Sequence, residues 1–211
     1  MTYLLRLSAC LFLCVSLNSF GALYDRGNGL IYDDVLDITW LQDANYAQTS
    51  GYDSDGRMTW DESKIWTNNL VYEGFENWRL PSVGDSPNTG YNQTSSELGH
   101  MFYLNLSVLA GNSILSNLSF NDSLSGKAQS FQNVQEYPYW YLEEYAPITD
   151  RAWAFVTSDG IQNYDGKNNV SRYAWAVHDG DIGASPVPLP AGIYLFLSGL
   201  VGLGLMRGRN A

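Results

Sequence analysis

Short apolar pieces parted by acidic residues make up GLIYDDVLDITWLQD, residues 29–43, a pattern that suits two short strands joined by a turn. In MTWDESKIWTNNLV the period changes to that of a helix. Thr59 is placed to cap it, Glu62 three residues later completes a capping box, and Ile65, Trp66 and Leu70 fall on one face. TSSELGHMFYLNL follows the same grammar, with Thr94 and Glu97 as the box and Leu98, Met101, Phe102 and Asn105 sharing a mostly apolar face. Further on, RAWAFVTSDG and SRYAWAVHDGD alternate large and small residues: Trp153 and Phe155 in the first, then Tyr173, Trp175 and Val177, with alanines between. They read as two antiparallel strands joined by a long loop with Asp-Gly turns at 159–160 and 165–166. The pattern predicts an α+β fold with two helices and small antiparallel sheets.

Longer apolar runs of another kind sit at both ends. MTYLLRLSACLFLCVSLNSFGA has one early positive charge, Arg6, an apolar stretch from Leu7 to Leu17, and then small residues. That is the layout of a secretory signal peptide. Cleavage after Gly21 sets Ser19 and Gly21 at the two positions that must be small, so residues 1–21 are read as signal. LSAC at 7–10 has the residue types of a lipoprotein box, but the apolar run before it is too short for an h-region. At the far end GDIGASPVPLPA, residues 180–191, is linker-like, and no charge falls between Ala191 and Met206. This run is shorter than the roughly twenty residues of a comfortable membrane span. Arg207 and Arg209 behind it would stop it on the cytoplasmic side. The expected organisation is a domain over 22–182, a linker and VPLPA motif over 183–191, a hydrophobic membrane segment over 192–206 and a basic tail over 207–211.

These boundaries change what the composition means. Cys10 and Cys14, the only cysteines, leave with the signal, so the exported part forms neither a disulfide nor a thiolate metal site. Without Arg6, Arg207 and Arg209, eight basic residues face 22 acidic ones, a formal charge of −14. Such a balance argues against nucleic acid, polyanions or an anionic membrane surface as partners.

Candidate chemistry is sparse. His100 and His178 lie in different elements without metal-ligand spacing, and a glycosidase pair drawn from Glu143, Glu144, Asp159 and Asp181 has no support beyond the abundance of acids. In GYDSDGRMTW, Asp53, Asp55 and Gly56 are placed as in a calcium loop, but an EF-hand needs a glutamate where Lys64 stands; an Asp/Gly turn before the helix is the competing reading. EYPYWYLEEY, residues 136–145, packs five aromatics into ten residues. Exposed, Trp140 and Tyr141 would stack on sugar rings while Glu143 takes hydroxyl hydrogen bonds; alternatively Tyr139 and Tyr141, or Trp140, line a core. In NWRLPS, Trp78 and Leu80 alternate into a core, Arg79 reaches a carboxylate, and Pro81 ends the strand. Five Asn-x-Ser/Thr sequons, at Asn92, Asn105, Asn117, Asn121 and Asn169, carry little meaning in a bacterial chain.

Two resemblances gather these pieces. YEGFENWRLPS, together with GLIYDDVLDITWLQDAN, MTWDESKIWTNNL, SSELGHMF and YAWAVHDGD in that order, resembles the Lcl C-terminal domain family, named for the C-terminal domain of a bacterial collagen-like adhesin; the likeness covers nearly all of residues 24–181. It implies a C-type-lectin-like architecture. One departure is His178, where many members carry an arginine, so an anion-binding role there is not carried over. Val187, Pro188, Leu189, Pro190 and Ala191, the span, and Arg207 and Arg209 resemble the VPLPA variant of the PEP-CTERM sorting signal. That implies an exosortase-type processing enzyme as partner, transient membrane insertion, and delivery to the surface or matrix of a Gram-negative bacterium; a permanent anchor is the alternative. The expectation is a secreted, non-enzymatic domain that binds glycan or exopolysaccharide, with calcium as its one candidate cofactor. A structural matrix protein and a cryptic polysaccharide hydrolase are the alternatives.

Overall fold

The computed structural model describes residues 22–184. The signal peptide, the VPLPA motif (Val187 to Ala191), the span over 192–206 and the basic tail with Arg207 and Arg209 lie outside these residues. Among the described residues no helix is long and apolar enough to cross a membrane. The fold is mixed α/β, mostly sheet with few helices.

The first sheet grows from the acid-interrupted apolar pieces. β1 (Leu23–Gly27), β2 (Leu30–Asp33) and β3 (Ile38–Leu41) form an antiparallel meander that β11 (Val177–Asp179) closes by pairing with β3. The second sheet has the order β4 (Arg57–Met58), β10 (Arg172–Tyr173), β7 (Pro138–Glu144), β8 (Arg151–Val156), β9 (Ile161–Gly166). A small hairpin joins β5 (Ser119–Asn121) to β6 (Ala128–Ser130).

Two pairings differ from the sequence expectation. The segments 151–156 and 172–179 are not partners: β8 pairs with β9, which lies inside the supposed long loop, around the Asp159–Gly160 turn. The chain over 172–179 crosses between sheets, parallel to β7 at Tyr173 and then antiparallel to β3. Gly160 makes the hairpin possible. Its φ is +86°, and a Cβ there would lie 2.5 Å from the Tyr103 hydroxyl. Asp165 and Gly166 belong to the end of β9 rather than to a turn.

Alternation in the second sheet reflects burial on both faces. Tyr139, Tyr141, Trp153, Phe155, Tyr173 and Trp175 enter one apolar cluster with Phe102 and Trp40. Trp140 and the small Ala152, Ala154, Ala174 and Ala176 enter the other, beneath Trp60, Trp66, Trp78 and Leu80. The alanines leave room on that face for four indoles.

Three helices are short except α2. α1 spans Tyr46–Thr49, α2 Trp60–Asn69 and α3 Glu97–His100, the last running into a π-helical turn over Met101–Asn105. The Thr59–Glu62 capping box forms as expected. Ile65, expected on the buried face, is 54 % exposed, because the buried stripe begins at Trp60 and continues through Ser63, Trp66 and Thr67. In α3 the cap is Ser96, whose hydroxyl accepts from the Gly99 N–H, and not Thr94. Glu97 is drawn away by Arg79, which makes two parallel bonds to it at 2.8 Å and also binds Asp179. The reading of NWRLPS holds at Trp78, Arg79 and Leu80: the two apolar side chains are buried and Arg79 is paired.

Candidate functional site

A cleft of about 420 Å³ lies between the loop over 83–89 and the segment 143–147, with Trp153 of β8 contributing to its wall. It originates in an irregularity of β7. That strand pairs regularly with β8 through Trp140 and resumes pairing only at Glu144, opposite Ala152. Inside this bulge the Leu142 N–H turns to the Pro81 carbonyl at 2.8 Å. Glu143 is thereby aimed at the adjoining loop: one oxygen accepts from the Ser82 hydroxyl at 2.6 Å and the other from the Val83 N–H at 2.8 Å. Bulges re-aim side chains in this way where a site is built at a sheet's margin.

Both rims are held. Across the loop, Gly90 and Gln162 exchange backbone hydrogen bonds at 2.8 and 2.9 Å, and the Gln162 side-chain amide donates to the Asn88 carbonyl at 2.8 Å. On the other rim Tyr145 stacks on Tyr164 with ring centroids 3.8 Å apart and meets Trp153 edge-on at 5.0 Å. Pro87 and Pro147 stiffen the two lips. Glu144 pairs with Lys167 at 2.8 Å. An aromatic wall, fixed lips and carboxylate acceptors form the kind of surface on which a sugar ring stacks while its hydroxyls donate. Glu143 keeps acceptor capacity beyond the two bonds it makes, because a carboxylate offers about four lone-pair sites.

Of the expected glycan-binding set, only Glu143 lines this cleft. Trp140 and Tyr141 are fully buried. Trp140 Nε1 donates to the Met58 carbonyl at 3.0 Å, and the Tyr141 hydroxyl sits 2.8 Å from Ser96 Oγ and 3.0 Å from Gln162 Oε1. Burial pushes the Tyr141 hydroxyl well above the ordinary tyrosine value. Neither side chain can reach a sugar, because both faces of β7 are covered. Their place is taken by Tyr145, half-buried against the core residue Trp153, which the aromatic count alone did not distinguish from its buried neighbours. A signal was present: the turn-rich GDSPNTG after NWRLPS and the acidic EEYAP that ends β7 place prolines beside carboxylates.

The Asp53–Gly56 loop has the geometry of an Asx turn. Asp53 Oδ1 accepts from the Asp55 and Gly56 N–H groups at 3.0 and 2.7 Å, and Asp55 is committed to Arg57 at 2.7 Å. The Arg57 N–H holds the Asp55 carboxyl below the ordinary aspartate value, with the guanidinium adding to the effect. Among the described residues no group of three or more histidines and acids is arranged to hold a metal ion. His178 packs edge-on against Trp78 at 5.5 Å, and His100 is buried on α3. Compared with protein-family models, curated proteins and solved structures, the chain finds no match, so its cleft is read from its own geometry.

Proposed function

We propose that this chain is an exported, surface-sorted domain that binds a glycan of the cell surface or extracellular matrix in the cleft between residues 83–89 and 143–147, without catalysing a reaction on it. The observation that carries the reading is the cleft itself, where Tyr145, backed by the buried Trp153, stands beside the Glu143 carboxylate. Export and sorting rest on the sequence: the signal-peptide layout of residues 1–21, and VPLPA followed by an uncharged run and two arginines. In this reading an exosortase-type enzyme processes the chain after transient membrane insertion in a Gram-negative cell. The Lcl C-terminal resemblance, with its C-type-lectin-like architecture, agrees with a binding role. Short strands, few helices and a loop-built cleft are compatible with that architecture.

The test is a titration of the purified chain with the producing cell's exopolysaccharide, followed by tryptophan fluorescence with and without EDTA. Saturable binding that Tyr145→Ala weakens and EDTA leaves unchanged is the expected result. Loss of binding in EDTA would move the site to the Asp53–Asp55 loop. No saturation, with self-association instead, would make the chain a structural matrix protein. Release of reducing ends, abolished by Glu143→Gln, would make it a hydrolase.

A further inference from the structure

We propose that the cleft selects a glycan bearing free amino groups, a polymer of basic amino sugars, over neutral and acidic polysaccharides; this rests on the glycan-binding reading above. Two carboxylates, Glu143 and Glu144, line the cleft, and among the described residues no lysine, arginine or histidine does. Among the described residues only Glu144 of the two is balanced by a cation, Lys167 at 2.8 Å. Glu143 accepts from neutral donors alone, the Ser82 hydroxyl and the Val83 N–H. Its charge is therefore uncompensated in a half-buried position, where Coulomb attraction exceeds its value in bulk water. An ammonium group at hydrogen-bond distance supplies the missing charge, and a charge-assisted bond is roughly twice as strong as one from a neutral hydroxyl. A uronate or sulfate at the same place meets Glu143 and the acidic excess of the whole domain, so it is repelled.

The aromatic wall adds a second attraction for the same group. Cations are drawn to the faces of tryptophan and tyrosine, and this protein already uses that contact beside the cleft. Arg151 lies 5.3 Å from the centroid of Tyr164, the ring on which Tyr145 stacks, and Lys167 lies 4.7 Å from that of Trp60. A sugar ring bearing an ammonium satisfies both elements, stacking its carbon face on the wall and placing its charge at Glu143.

The experiment titrates the purified full-length chain with glucosamine oligomers at mildly acidic pH, where the amine is charged. N-acetylglucosamine oligomers of equal length, an oligouronate and oligolysine are the comparison ligands. The expected result is binding of the free-amine oligomer at least about tenfold tighter than the acetylated one, a difference of about 1.4 kcal/mol. That ratio should shrink with added salt. Glu143→Gln should collapse it towards one. The fold should survive, because the amide oxygen still accepts from Val83 and the amide NH2 donates to the Ser82 hydroxyl. Glu76→Gln, which removes an exposed carboxylate outside the cleft, should leave the ratio intact. Equal binding of both oligomers would overturn the charge selection while leaving the glycan reading standing. If no glycan binds, both fall. A preference that survives Glu143→Gln, or that Glu76→Gln removes equally, would reduce the effect to diffuse attraction by an acidic protein. Oligolysine binding as tightly as the glucosamine oligomer would assign the cleft to a basic peptide instead.

Discussion

Asp33 has no exposed surface, and its carboxylate is held by neutral donors: the Val35 and Leu36 N–H groups at 3.1 and 3.2 Å and the Asn105 amide at 2.5 Å. Burial pushes its pKa above the ordinary 3.8, and the three hydrogen bonds and nearby His100 only partly oppose the rise. Between 3.8 and the raised value the folded chain keeps a proton that the unfolded chain has released. Stability from this group is therefore fully present below 3.8 and is lost as pH rises through the folded value. Glu62, held low by its bonds to Thr59, acts in the opposite direction, so a single pH profile mixes the two. Asp33→Asn separates them. The new amide oxygen accepts from Val35 and Leu36, and Asn105 turns its amide so that its own oxygen, buried without a partner at present, receives the new NH2 group. Urea unfolding of both chains across the acid range should show the substituted chain lacking the Asp33 slope and matching or exceeding the parent's stability at neutral pH. A neutral-pH loss of several kcal/mol would mean that the charge itself holds this corner.

At the scale of elements, α2 is the part that local sequence specifies most completely. Thr59 accepts from the Glu62 N–H, and Glu62 Oε2 accepts from the Thr59 N–H at 2.9 Å. Thr59→Ala removes the cap and should cost about 1 kcal/mol, read as a lower urea midpoint with an unchanged m-value. Ser96→Ala tests the other cap, which the sequence pattern misplaced. The same four-residue grammar stands at Thr94–Glu97, yet Glu97 is held by Arg79, eighteen residues earlier in the chain, and a tertiary ion pair outweighs a local box. Strand pairing failed to show for a related reason. β9 reads IQNYDG, too polar to announce itself, and its Gln162 is buried through bonds that the sequence does not display. The Trp-Arg-Leu segment was legible because alternation and a lone basic residue are local signals. The cleft was not, because it depends on a bulge that leaves Glu143 facing the loop while the more conspicuous Trp140 and Tyr141 remain in the core.

For the whole molecule, the question is whether charge helps or harms the fold. The eight basic residues between 22 and 184 are largely occupied: Arg26, Arg57, Arg79, Lys167 and Arg172 form ion pairs, and Lys64 and Arg151 lie over aromatic rings. Against them stand 22 acids, so among the described residues most carboxylates have no cationic partner and repel one another across the surface. Exposed pairs contribute about 0–1 kcal/mol each and weaken in salt. Net repulsion among many unmatched charges also weakens in salt, with the opposite effect on stability. Because the unmatched acids outnumber the pairs, the repulsive term should win. A chain of residues 22–186, which lacks Cys10 and Cys14, should melt at higher temperature in moderate sodium chloride than at low ionic strength, at neutral pH and with no reductant effect. The rise should be smaller near the isoelectric point, where protonation has already removed the repulsion. A melting temperature that falls with salt would instead make the Arg79–Glu97–Asp179 network and its counterparts the dominant electrostatic term. In that case Arg79→Lys, which keeps the charge but loses the paired geometry, should remove most of the salt sensitivity.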